Sequence, residues 1–96
     1  MNATEQAYGL LGGQGFEAMC LEVLCTGGTL VQDRDFLLAF RVEDGVAHVL
    51  FACGNLRRIL CFARANREVF GYERACWVRS LVGKHADMRF YDIDRL

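Results

Sequence analysis

The chain has no proline among its 96 residues, so its turns must be made by glycine, asparagine and aspartate. It has one lysine, Lys84, and two histidines, His48 and His85, and neither histidine stands in a recognisable motif with an acid and a nucleophile. No apolar run approaches the roughly 20 residues that span a bilayer, which argues against a membrane protein. The opening residues, Met1-Asn2-Ala3-Thr4-Glu5-Gln6, lack a basic segment followed by an apolar core. They do not read as a secretory signal, and the expected location is cytoplasmic. The five cysteines (Cys20, Cys25, Cys53, Cys61 and Cys76) form no C-x-x-C, are odd in number and sit among apolar neighbours. Buried free thiols in a reducing compartment are expected, not a disulfide framework. Zinc spacing is absent from Cys20, Cys25, His48 and His85. Asp33-x-Asp35 and Asp92-x-Asp94 do not continue with the glycine and glutamate of a calcium loop. No metal site is predicted, and no bound cofactor.

What is present is apolar and aromatic. The chain is 53% hydrophobic and 24% charged, with seven Phe, three Tyr and one Trp. That composition predicts one globular domain over residues 1–96. Small domains bury a limited fraction of their surface, so apolar surface is expected to be left over. Self-association, as a homodimer, is one way to cover it. The net charge of −1 hides an asymmetry. Residues 1–53 hold two basic and seven acidic side chains; residues 54–96 hold nine basic and five acidic. The halves are expected to pair, within one subunit or across a dimer. A pI of about 6.1 disfavours nucleic acid as a partner.

Local signals give an order of elements. Thr4 is a candidate cap for a short helix through Tyr8, ended by Gly12-Gly13-Gln14-Gly15. Phe16, Met19, Cys20, Val23 and Leu24 then fall at helical spacing over 16–25, and Gly27-Gly28 stops that helix. Residues 29–35 read as a short strand or a loop. Phe36–Val42 and Val46–Cys53 read as a hairpin joined by a three-residue loop, Glu43-Asp44-Gly45. Both runs are nearly continuously apolar, which suggests strands covered on both faces. Asn55 is an N-cap for a helix from Leu56 to about Phe70, with Arg57, Arg58 and Arg64 on its polar side. Two strands follow, over 74–79 and 88–93. The prediction is an α+β fold in α-β-β-α-β-β order. It has an antiparallel or mixed sheet of about four to five strands and two main helices packed on it.

Several segments invite a chemical reading. Gly9 to Gly15 lacks the Lys-Ser/Thr of a phosphate loop and no strand precedes it, so a linker between helices is the simpler reading. Cys53, at the end of a strand and near a helix start, could be an activated thiol. Its base would have to be His48, five residues back and, by strand alternation, on the opposite face. No catalytic set is assembled, so the sequence assigns no catalytic residue and leans away from an enzyme. The one convergence of backbone donors, cations and a thiol is Gly54, Asn55, Arg57 and Arg58 beside Cys53. Those four residues are the candidate anion site, for a phosphorylated ligand such as a nucleotide or coenzyme A.

From His48 through Arg79 the order of elements resembles the centre of the GNAT-type acetyltransferases. In that family a hairpin strand ends in a glycine-containing turn, Q/R-x-x-G-x-G/A, that holds the coenzyme A pyrophosphate before a helix and another strand. Here the turn is Ala52-Cys53-Gly54-Asn55-Leu56-Arg57, with one of the glycines and no leading Gln or Arg. The resemblance implies coenzyme A binding at Gly54 and Asn55. The closing R-F-Y-D-I-D-R-L is similar to small phage- or prophage-encoded proteins of unknown function. The high apolar fraction, the complementary charge halves and the lack of an assembled catalytic set favour a small non-enzymatic interaction or accessory protein. The alternative is a binding domain, or a degenerate GNAT-like enzyme, for a phosphorylated ligand.

Overall fold

The computed structural model describes residues 2–80 and 86–93. The fold is α+β, and its centre is β2 (Phe36–Glu43), hairpinned to β3 (Val46–Gly54). Asp44 and Gly45 both take positive φ, 52° and 75°, and Glu43 pairs directly with Val46. The loop therefore has two residues, not three. Two consecutive positive φ values match the right-handed twist of the flanking strands, which a longer loop is not needed to reach. In the middle of the hairpin the register shifts: Phe40 faces Val49 while Ala39 faces Phe51. Leu50 is the extra residue of a β-bulge.

Residues 29–35 resolve into β1 (Thr29–Gln32), antiparallel to β2, and a tight turn. Before β1 lies α1 (Ala3–Cys25), two helical segments that meet at a kink where Gly12 leaves the helical region at φ 75°, ψ 168°. The glycine-rich stretch thus ends the first helical segment at Gly12, as its glycines predict, and the second starts directly after it. The cap is Asn2, not Thr4: Asn2 accepts from the Glu5 N–H at 2.9 Å. Asn2 is extended, as a cap requires, whereas Thr4 is already helical.

After β3, Asn55 caps α2 (Leu56–Ala65). The helix breaks at Asn66, and the single turn α3 (Arg67–Phe70) follows, closed by Gly71 in the left-handed region at φ 76°. The expected helix to about Phe70 is thus two pieces, because the Asn66 side chain donates back to the Phe62 carbonyl at 2.9 Å. Next come β4 (Arg74–Ser80), parallel to β3, and β5 (Ala86–Asp92), antiparallel to β4. The mixed sheet has the order β1-β2-β3-β4-β5.

Phe36, Leu37, Leu38, Ala39 and Phe40 are all buried, which explains the unbroken apolar run of β2. Leu37 and Ala39 pack with Ala3, Ala7, Phe16, Met19 and Val23 of α1 on one face. Phe36, Leu38 and Phe40 pack with Ile59, Phe62, Phe70 and Tyr72 on the other. The two helical layers therefore lie on opposite sides of the sheet. Burying one such side chain is worth about 1.5–3 kcal/mol, so β2 anchors both layers. Among the described residues no helix is long and apolar enough to cross a membrane.

Candidate functional site

The parallel pairing of β3 with β4 is short. It runs from Val46 with Arg74 to Val49 with Trp77. Beyond that point, among the described residues, β3 continues through Phe51–Gly54 paired with β2 alone, and β4 through Val78–Ser80 paired with β5 alone. Alternate backbone N–H and C=O groups of β3 there point toward β4 without a ladder partner among the described residues. The bulge at Leu50 coincides with the place where pairing ends. β3 then leads directly into Gly54, Asn55 and the start of α2.

Gly54 has φ 103°, and a Cβ added there would lie 2.4 Å from the Asp35 carbonyl oxygen and 2.7 Å from Phe36 Cα. Only glycine lets the two backbones come this close. The closeness allows the Asn55 N–H to donate to the Asp35 carbonyl at 2.7 Å. Asn55 Oδ1 in turn accepts from the Arg58 N–H at 3.2 Å. The same β1–β2 turn holds α1, since the Ala3 N–H donates to the Arg34 carbonyl at 3.1 Å. One three-residue turn, Asp33-Arg34-Asp35, thus fixes the N-termini of both main helices.

Of the four sequence-predicted residues, Asn55 is used as the cap of α2 and Arg58 has a carboxylate of the protein itself nearby. Asp35 Oδ2 stands 3.6 Å from Arg58 Nε, with both side chains largely exposed. A pair this exposed is worth little, about 0–1 kcal/mol. Arg57 and Arg64 are exposed as well. Glu43, one of the acidic residues of the N-terminal half, pairs with Arg41 on its own strand, and this holds its carboxyl below the usual range. Cys53 is buried, its thiol 3.4 Å from the Ala3 carbonyl that it donates to, and burial pushes its pKa up. That is a structural thiol and a poor nucleophile at neutral pH.

The sequence reading missed a second pair. His48 and Cys76 are in register on the parallel strands, and Cys76 Sγ lies 3.1 Å from His48 Nδ1. Burial raises the Cys76 pKa, against smaller opposing effects of Arg41 and Arg74. The bulge at Leu50 also changes the parity of β3. Ala47 and Val49 join the α2-side core and Cys53 the α1-side core, so His48 and Cys53 share a face. Alternation over five residues places them on opposite faces only in a regular strand. A β-α-β crossover predicts parallel neighbours, and that was the available signal for His48 and Cys76. Elsewhere, an open cleft of about 720 Å³ lies between α3 and β4, lined by Arg67, Glu68, Tyr72, Glu73, Arg74 and Asp92 among others. It carries both signs of charge and includes none of the four predicted residues.

No known protein family, curated protein or solved structure matches the chain.

Proposed function

We propose that this chain is a small non-enzymatic interaction module that associates with itself. The observation that carries the reading is on α1. Ala3, Ala7, Phe16, Met19 and Val23 fill the core, yet Leu10 before the kink and Leu21 and Leu24 after it are 66%, 57% and 75% exposed. Large apolar side chains left bare beside carboxylates are the kind of surface that self-association covers. Leu24 sits about 100° round the helix from the buried Val23, so it faces away from the core. Free thiols at all five cysteines suit a reducing, cytoplasmic setting. Light scattering coupled to size exclusion at micromolar concentration tests the reading: assembly is expected, and a monomer at every concentration overturns it.

A second reading is favoured by the unpaired stretch of β3. A strand that parts from its parallel neighbour and ends in a glycine turn at a helix start suits an extended ligand with a phosphorylated end. Coenzyme A or a nucleotide fits that description, as the GNAT-like resemblance implies. The strand would offer backbone donors and acceptors, and Gly54, Asn55, Arg57 and Arg58 would meet the phosphates. Against it stand the Asn55 cap and the Asp35 carboxylate, which already use Arg58. A thermal shift on adding millimolar coenzyme A or nucleotide, lost in Arg57→Ala/Arg58→Ala, is the expected result. No shift with any of these ligands removes this reading.

A further inference from the structure

We infer that the self-association is head to tail: the outer face of α1 in one copy docks on the outer face of α2 in the next. The inference rests on the reading of the chain as a self-associating module and adds its geometry. Charge is the main reason. α1 holds Glu5, Glu17 and Glu22 and no lysine or arginine. α2 holds Arg57, Arg58 and Arg64 and no acidic residue. A symmetric contact of α1 on α1, or of α2 on α2, sets like charges against each other. A contact of α1 on α2 sets glutamates against arginines.

The surfaces also match in kind. On α1, Glu17 stands among the exposed Leu21 and Leu24. On α2, Arg57, Cys61 and Arg64 are exposed along the side away from the sheet. Arginine stems can lie on leucine side chains while their guanidinium groups reach carboxylates. A two-fold dimer would need both helices in one patch. Here α1 and α2 cover opposite faces of the sheet. The contact is therefore heterologous, and it propagates from copy to copy unless the rotation closes a ring.

Sedimentation velocity on the full chain tests this with two double variants. Leu21→Asp/Leu24→Asp spoils the α1 face and keeps the α2 face. Arg57→Glu/Arg64→Glu does the reverse. Wild type is expected to grow past a dimer as concentration rises in about 20 mM salt, and to shrink in about 500 mM salt. Each variant alone is expected to be monomeric, and an equal mixture to give a one-to-one pair and nothing larger. All four positions are exposed, so wild-type circular dichroism is expected. Leu24→Ser and Arg64→Ala give the same mixture if a double variant fails to fold. A wild type that stops at a dimer, or a mixture that stays monomeric, overturns the head-to-tail geometry while leaving self-association intact. A wild type that is monomeric throughout overturns both.

Discussion

Cys76 Sγ lies 3.1 Å from His48 Nδ1, across the short stretch of parallel pairing that joins β3 to β4. The thiol is buried, and its neutral form is the one the fold favours. Cys53 and Tyr72 are buried too, and burial raises both.

These raised values make a prediction about alkaline pH. Each group keeps its proton longer in the folded chain than in the unfolded one. The folded state therefore binds more protons once pH passes the ordinary thiol value of 9.0, and 10.0 for the tyrosine. The stabilisation is fully present below that range and is lost as pH rises through the folded values. Thermal unfolding followed from pH 7 upward should show a flat region and then a decline starting near pH 9. Cys53→Ala/Cys76→Ala should be less stable at neutral pH and decline less steeply. Equal slopes for the two proteins would remove the thiols as the cause.

Gly54 is predicted to be intolerant of any side chain. Gly54→Ala meets the Asp35 carbonyl at 2.4 Å and leaves a β-carbon at φ 103°. Relief requires moving the β1–β2 turn, which also holds the first residues of α1 and α2. Strain of this kind costs about 1–3 kcal/mol before any contact is lost. Gly45→Asn is the control, since Gly45 has positive φ but no neighbour within 4 Å and asparagine tolerates that region. Urea midpoints should separate the two clearly; a Gly54→Ala protein as stable as Gly45→Asn would contradict the close approach.

Asn55 separates a capping role from a ligand role. As a cap, Asn55→Ala should cost about 1 kcal/mol, and Asn55→Asp should retain the stability because a carboxylate accepts the same Arg58 N–H. As a phosphate contact, Asn55→Asp should weaken coenzyme A or nucleotide binding by charge repulsion. Denaturation and thermal-shift measurements on the same two variants read the roles independently.

How much of this was legible follows from the range of each interaction. The hairpin, the α2 start at Asn55 and the Phe16–Met19–Val23 stripe come from spacing and from caps within a few residues. Gly54 and Asn55 were likewise visible as a strand-to-helix break. The partner of that break, Asp35, is a separate turn that the hairpin register brings alongside. The bulge at Leu50 leaves no mark in an apolar run, and it reverses which face His48 occupies. The approach of Cys76 to His48 depends on β4 pairing in parallel, and nothing local to either residue encodes that.

Phe40 tests whether β2 carries the α2 layer. Its ring is edge-on to Phe70 at 5.1 Å and to Tyr72 at 6.1 Å, and approaches Phe62 at 6.5 Å. Tyr72 is fixed in its turn by donating its hydroxyl to the Ala63 carbonyl at 2.6 Å, at the end of α2. Removing the Phe40 ring empties the centre of this cluster at a residue only 2% exposed. Truncation of a buried phenylalanine costs about 3–5 kcal/mol, a large part of the 5–15 kcal/mol that stabilises a domain. Phe40→Leu keeps much of the volume and should cost far less. Tyr72→Phe keeps the ring but loses the hydroxyl bond, about 1 kcal/mol, and leaves the Ala63 carbonyl without that donor. The expected order of destabilisation is therefore Phe40→Ala well above Tyr72→Phe, with α2 amides losing hydrogen-exchange protection first in Phe40→Ala. If α1 amides lost protection first instead, the two faces of β2 would be coupled so tightly that neither helix could be said to depend on Phe40 alone.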